Sequence, residues 1–132
     1  IGYGFAHNDL ISNLMKVKVP FEPSMIAQVA GYAALEDLNF LKKTIEINKT
    51  GLKYLTNELD KLKISYIPSA TNFITIFLES ENKAKKIVDR LMQNGVIVRH
   101  LNSFGWPNYI RISIGIEKEN KRFISTLKEC YE

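Results

Sequence analysis

The chain has 132 residues, of which 45% are hydrophobic and 24% are charged, and its formal net charge is +4. A chain of this size can bury one core, and no stretch approaches the roughly 18 apolar residues that a membrane helix needs. Its lysines are scattered along helical stretches and not clustered on one face, which argues against nucleic-acid binding.

The first residues, Ile1 to Ala6, are short, apolar and interrupted by glycine, and they lack the basic start and long apolar run of a signal peptide. A chain that begins with Ile1 in the middle of a pattern is expected to be a piece of a longer protein. The single cysteine, Cys130, cannot form an internal disulfide, which fits a reducing compartment and a cytoplasmic location.

The next segment predicts two short helices separated by prolines. Asn8 or Asp9 can cap the first helix, whose apolar residues follow helical spacing. Pro20 and Pro23 require extended or turn-like backbone, and Ser24 is a suitable N-cap for the second helix.

After Asn39 the apolar pattern predicts one long helix that reaches about Leu62. Gly51 interrupts it, at a cost of about 1 kcal/mol relative to alanine that a helix of this length can absorb.

The remaining residues predict strands and helices in the order β-α-β-β-α. Ser80 begins the first of these helices and Asn94-Gly95 closes it, because glycine readily takes the left-handed cap. The predicted strands are Asn72 to Leu78, Val96 to Arg99 and Tyr109 to Gly115, and the last helix starts at Glu117. The order indicates an α/β fold in which helices cover one side of a small mixed or antiparallel sheet.

Two arginines are candidate binding residues. With a period of two, the isoleucines of the last predicted strand share the face that belongs on the core, so Arg111 projects from the opposite face. Arg99 closes the preceding strand, and pairing of these strands would bring two guanidinium groups to one surface. Such a pair is unfavourable unless an anion lies between the charges, and arginine binds carboxylate or phosphate in a two-point fork. The alternative is exposed charges that discourage edge pairing, which spacing alone slightly favours.

Other positions are less informative. Asn72 stands at the entrance to a strand and is either a turn-former or a polar group near a site. Gly2-Tyr3-Gly4 lacks the third glycine of a dinucleotide-binding loop. His7 and His100 have no potential ligands at suitable spacing, so we expect no metal site.

Several segments, in order along nearly the whole chain, resemble histidinol-phosphate aminotransferases of fold type I. They are Ile1-Gly2-Tyr3-Gly4-Phe5-Ala6, Pro20-Phe21, Ala27-Gln28-Val29-Ala30, Ser69-Ala70-Thr71-Asn72-Phe73-Ile74, Gly95-Val96-Ile97-Val98-Arg99 and Tyr109-Ile110-Arg111-Ile112-Ser113-Ile114-Gly115.

The resemblance implies the fold and division of a fold type I aminotransferase. Residues 40–132 would form its small C-terminal α/β domain, including the long interdomain helix. Residues 1–39 would be the end of the large cofactor-binding domain and the connecting helices.

The resemblance also implies an activity: transamination between histidinol phosphate and a 2-oxo acid, with pyridoxal phosphate as electron sink. The amino-acid partner would be the glutamate/2-oxoglutarate pair, and the pathway histidine biosynthesis. Arg111 would bind the acidic group of the substrate, Arg99 would assist with the phosphate, and Asn72 would lie at the rim of the site.

The family's Schiff-base lysine and its other cofactor contacts lie upstream of the Gly-Tyr-Gly segment. We therefore expect no catalytic or cofactor-binding residue in this chain, and no activity from it alone. A homodimer is expected, with the Pro20 to Ser24 segment near the neighbouring active site, although Phe21-Glu22-Pro23-Ser24 departs from the Asn-rich sequence common in the family.

Two other functions stay open. A related aminotransferase acting on aromatic or other amino acids would use the same carboxylate-binding arginine. A stand-alone regulatory module would use the arginine pair to hold a phosphorylated small molecule.

Overall fold

The computed structural model describes residues 1–131 and divides into two compact units, residues 1–42 and the residues from Lys43 onward. The elements are α1 (Asn8–Val17), α2 (Met25–Glu36), α3 (Leu38–Lys61), β1 (Tyr66–Ile67), β2 (Phe73–Phe77), α4 (Glu81–Gln93), β3 (Arg99–His100), a short 3-10 helix (Asn102–Phe104), β4 (Tyr109–Ser113) and α5 (Glu117–Tyr131).

The first unit contains two short helices joined by the proline segment. The predicted cap of α1 was wrong by a residue or two: His7 is the N-cap, and its Nδ1 accepts a hydrogen bond from Asp9 N at 3.4 Å. The predicted cap of α2 is confirmed, since Ser24 Oγ accepts from Ala27 N at 3.3 Å. None of residues 1–42 is buried, so the apolar side chains of these helices form no core of their own.

The long helix α3 is confirmed, and it begins just after Asp37, whose Oδ1 accepts from Phe40 N at 2.8 Å. The interpretation of Gly51 as a tolerated defect was incomplete. Gly51 is buried, and a Cβ there would lie 2.6 Å from Ile114 Cγ2 and 2.7 Å from Asn120 Nδ2. Only glycine therefore allows α3 to come this close to the chain between β4 and α5.

The sheet has four strands in the order β1-β2-β4-β3, and every neighbouring pair is antiparallel. Three strands were predicted; β1 was missed because two residues are too short to show an alternating pattern. The prediction of a strand over Val96 to Arg99 was also wrong, because β3 is confined to Arg99–His100. Val96 N instead donates to Leu91 O at 2.8 Å. This bond belongs to the end of α4, and pairing with β4 begins only at Arg99.

The core lies on one face of this sheet, beneath α3, α4 and α5, which confirms the predicted arrangement of helices on one side. It is built from aliphatic and aromatic side chains: Leu55 and Leu59 of α3, Ile74 and Ile76 of β2, Ala84, Ile87 and Leu91 of α4, Ile110 and Ile112 of β4, and Phe123, Ile124 and Leu127 of α5. Because side chains alternate along a strand, the residues between these isoleucines project from the opposite face.

Within residues 1–131, none of the helices combines the length and the apolar character required to cross a bilayer.

Candidate anion-binding site

The two candidate arginines lie directly opposite each other in the sheet. Arg99 of β3 pairs with Arg111 of β4, and Arg111 pairs in turn with Thr75 of β2. Directly opposed residues of an antiparallel pair share a face, with Cβ atoms about 4.5–5.5 Å apart. The sequence left the pairing of these two strands open; they do pair, and both arginines lie on the face opposite the core of the second unit.

Neither guanidinium group is neutralised by a neighbour. The ion pairs formed within residues 1–131 all involve other side chains, so neither arginine has a carboxylate partner there. Arg99 is exposed and Arg111 is half-buried. Both groups can therefore donate hydrogen bonds to an anion that approaches this face.

An aromatic ring lies beside each of the two guanidinium groups. The guanidinium carbon of Arg111 lies 5.1 Å from the ring centroid of Phe73, and that of Arg99 lies 5.8 Å from the ring centroid of Phe104. Contacts of this kind are worth about 0.5–1 kcal/mol at exposed sites. Phe73 is a contact that the sequence analysis did not assign, although its alternation with Thr75 and Phe77 along β2 would have placed it on this face.

A group of aromatic side chains, packed at tilted angles, continues the same face. The ring centroids of Phe77 and Tyr109 are 5.3 Å apart, and those of Trp106 and Tyr109 are 5.1 Å apart. The loop that carries Trp106 is held by a 2.7 Å hydrogen bond between His100 Nε2 and the carbonyl oxygen of Pro107. The site is thus bordered by packed aromatic rings and by a loop that a hydrogen bond ties to β3.

Asn72 lies in the bend immediately before β2, and its backbone has a defined role. Its carbonyl oxygen accepts a 2.9 Å hydrogen bond from Ile114 N, which extends the β2–β4 ladder by one step. Its side chain is exposed. The structure thus brings Arg99 and Arg111 together, whereas the Asn72 side chain makes no hydrogen bond to either of them within residues 1–131, and its backbone is linked to their strands through Phe73 and Ile114.

The chemistry of this face suits an anion and not the cofactor itself. Its strand residues are Ile67, Phe73, Thr75, Phe77, Arg99, Tyr109, Arg111 and Ser113, and none of these is a carboxylate or a lysine. Pyridoxal phosphate needs a lysine amine for its covalent attachment, so this face does not hold the reactive end of that group. It can hold a phosphate or carboxylate.

A separate cavity of about 450 Å³ lies between α3 and α5, away from the arginines. Ile47, Gly51 and Tyr54 line it from α3, and Glu117 and Asn120 line it from α5. Since none of its lining residues belongs to the arginine-bearing face, this cavity is not part of the candidate site.

Residues 1–127 match the family of class I and II aminotransferases, and the chain belongs to that family. Its curated relatives include histidinol-phosphate aminotransferase from Brevibacillus brevis, which is 40% identical over 129 residues that make up 98% of this chain and 35% of that protein. The enzyme of the same name from Campylobacter lari is 42% identical over 131 residues, or 99% of this chain and 36% of that protein.

The fold agrees with these relatives. The crystal structure of histidinol-phosphate aminotransferase from Sinorhizobium meliloti in complex with pyridoxal-5'-phosphate matches with a TM-score of 0.81 and 27% identity, covering 90% of this chain and 33% of that one. The chain therefore spans about a third of the length of the relatives it matches. The resemblance and the fold class inferred from sequence are confirmed, while the roles of Arg99, Arg111 and Asn72 stay predictions.

Proposed function

We propose that this chain is the part of a pyridoxal-phosphate-dependent aminotransferase that binds the acidic group of the substrate. The enzyme transfers an amino group between histidinol phosphate, or its keto form imidazole acetol phosphate, and the glutamate/2-oxoglutarate pair, in histidine biosynthesis. The observation that carries the proposal is the direct pairing of Arg99 with Arg111 on a sheet face whose strand residues include no carboxylate. The names of the relatives at 40% and 42% identity support this choice of reaction.

The charge of the substrates matches the two arginines. A phosphate monoester carries a charge of about −1.5 to −2 at neutral pH and has several acceptor oxygens. Two guanidinium groups can neutralise that charge, and a fork on one side of the phosphate leaves oxygens for the second arginine. A carboxylate needs only one fork, so Arg111 serves both substrates and Arg99 adds preference for the phosphate. Asn72 lies at the rim of this site.

The cofactor acts as the electron sink of the reaction when it is bound. Because no strand residue of the arginine face is a lysine, we assign the imine lysine and the other cofactor contacts to the part of the relatives' length that this chain does not span. The chain's own contribution is to bind and orient the acidic end of the substrate, and it is inactive by itself.

The division of the chain follows the same proposal. Residues 40–132 act as the small C-terminal domain, and residues 1–39 act as the end of the large domain with its connecting helices. The apolar side chains of the first unit, such as Phe21 at 98% and Ile26 at 83% exposure, require cover from the large domain or from a second subunit. We propose a cytoplasmic homodimer, which light scattering of the full-length protein would test.

Substitution of the arginines tests the proposed function in the full-length protein. Arg111→Ala should lower kcat/KM for histidinol phosphate by about 100-fold or more, because an anion loses a charge-assisted partner worth about 2–5 kcal/mol. Arg111→Lys keeps the charge but loses the fork, so we expect an intermediate loss. Lys86→Ala removes an exposed positive charge from α4 and serves as the control for net charge.

Arg99→Ala distinguishes an enzyme specific for histidinol phosphate from a related aminotransferase that recognises only the carboxylate of an amino acid. If the phosphate is the main determinant, this variant should lose activity with histidinol phosphate while keeping activity with glutamate. Unchanged kcat/KM in Arg111→Ala would remove that residue from the site.

Tight binding of histidinol phosphate to the 132-residue chain, measured by calorimetry, would favour the stand-alone module. An incomplete enzyme site is expected to bind histidinol phosphate only weakly.

A further inference from the structure

Among the described residues, one side-chain hydrogen bond connects the long helix α3 to the bend at residues 70–72, which leads into β2. Asn48 Nδ2 donates to the carbonyl oxygen of Thr71 at 3.1 Å, across 23 residues of sequence. The other hydrogen bonds of Thr71 are local: its N–H donates to Ser69 Oγ at 3.0 Å, the two hydroxyls lie 2.9 Å apart, and its own hydroxyl lies 3.4 Å from the carbonyl oxygen of Phe73, to which it donates. Asn48 is therefore the side chain that ties this bend to the helix.

The same amide leaves its other atom unpaired. Asn48 Oδ1 is buried and accepts no hydrogen bond from any of residues 1–131. A buried acceptor without a donor is unfavourable, so it offsets much of the stability that the bond to Thr71 contributes. Asn120 shows the contrast: its Nδ2 donates to Gly115 O at 2.8 Å and its Oδ1 accepts from Gly115 N at 3.0 Å. Asn120 satisfies both polar atoms of its amide, whereas Asn48 satisfies only one within residues 1–131, so we expect Asn48 to contribute less net stability.

The residues after Thr71 lead directly to the candidate substrate contact. The Asn72 carbonyl takes the Ile114 N–H at 2.9 Å, and the Phe73 ring supports the Arg111 guanidinium at 5.1 Å. A change in the position of Thr71 therefore moves Phe73, and with it the surface on which Arg111 rests.

We propose that Asn48 is a positioning residue for the substrate's acidic group. By fixing the Thr71 carbonyl, Asn48 holds Asn72 and Phe73 in place, and through Phe73 it sets the orientation of the Arg111 guanidinium. The inference rests on the proposed function, because it assigns Asn48 to the same site.

The test compares Asn48→Ala, Asn48→Asp and Asn57→Ala in the full-length protein. Asn57 is an exposed asparagine on the same helix, so its substitution controls for the change in helix propensity. Loss of the bond to Thr71 should raise KM for histidinol phosphate by roughly three- to tenfold, with kcat changed by less than about twofold. Asn48→Asp keeps the shape but cannot donate to a carbonyl, so its KM should rise at least as much.

Two further measurements distinguish positioning from a purely structural role. The melting temperature of Asn48→Ala should stay near that of the unsubstituted protein, whereas Asn120→Ala should lower it clearly. Hydrogen exchange followed by mass spectrometry, without substrate, should show faster exchange in the peptide covering residues 68–76 for Asn48→Ala but not for Asn57→Ala.

Equal KM values in Asn48→Ala and Asn57→Ala, in a protein that does turn over histidinol phosphate, would overturn this inference and leave the proposed function intact. A melting temperature as low as that of Asn120→Ala with unchanged KM would also overturn it. If the unsubstituted protein has no activity with histidinol phosphate, the proposed function fails, and unchanged exchange in residues 68–76 would then refute the role of Asn48 independently.

Discussion

At the residue scale, the pairing of Arg99 with Arg111 is the feature that local energetics explain least well. Like charges directly opposite in a sheet are destabilising, and within residues 1–131 no carboxylate compensates either of them. The rings of Phe73 and Phe104 recover only part of that cost. Departures from local rules of this kind concentrate at functional sites, where a ligand supplies the missing partner.

Cys130 illustrates the opposite case, a reactive residue type in a structural role. Burial raises the pKa of its thiol, although the nearby Arg90 opposes that shift, and the residue is only 8% exposed. Since the thiolate is the reactive form, we expect iodoacetamide near neutral pH to leave Cys130 unmodified in the folded protein. Mass spectrometry should show complete alkylation only in denaturant, and equal rates in both conditions would contradict the assigned burial.

At the scale of elements, the register of β2 against β4 determines which side chains can meet a ligand. Ile74 pairs with Ile112 on the core face, while Thr75 pairs with Arg111 on the other. A shift of one residue would exchange the two faces and bury the guanidinium among the helices. The burial of two isoleucines in each strand prevents that shift, so packing on one face holds the site on the other.

Gly51 provides a prediction for the packing of α3. Gly51→Ala should lower the melting temperature, although alanine is the better helix former by about 1 kcal/mol, because a Cβ in a tightly packed core costs about 1–3 kcal/mol. The atoms that it would meet are Ile114 Cγ2 at 2.6 Å and Asn120 Nδ2 at 2.7 Å. Gly31→Ala in α2 is the matched control, since a Cβ there meets only the side chain of Ile1. A rise in melting temperature for Gly51→Ala would show that Ile114 and Asn120 can move enough to accommodate the added Cβ.

At the scale of the whole molecule, an ionic contact joins α3 and α5, two of the three helices that cover the core of the second unit. Glu58 of α3 accepts hydrogen bonds from Lys61 at 2.5 Å and from Lys128 of α5 at 2.9 Å. The bond to Lys61 and then that to Lys128 hold the pKa of the Glu58 carboxyl below its ordinary value of 4.5. The pair therefore stabilises the folded state only while Glu58 is ionised.

This contact predicts a pH-dependent difference in stability. Because the pKa is lowered in the folded state, its contribution is fully present above about pH 4.5 and is lost as the pH falls through the folded-state pKa. The melting temperature of the unsubstituted chain should exceed that of Glu58→Gln at pH 7, and the difference should shrink progressively as the pH falls below 4.5. A difference that persists at low pH would mean that packing, and not charge, links these helices.

The sequence by itself determined the features that depend on neighbouring residues. The caps at Ser24 and Ser80, the extent of α3, and the alternation that turns Arg111 away from the core follow from contacts within a few positions. The family could be recognised because its motifs keep their order along the chain. The shortness of β1 and β3 removed the periodic signal there, so their limits were missed or misplaced.

Only the tertiary structure decided which distant segments meet. It set Arg99 directly opposite Arg111, placed Phe73 beneath that guanidinium, and joined Asn48 to Thr71. These contacts arise from strand pairing and helix packing across tens of residues, and no local pattern encodes them. The physical reason is that the alternation along a strand specifies only which face a side chain lies on. Its partner on that face depends on the register of the strands and on the packing of the helices against them.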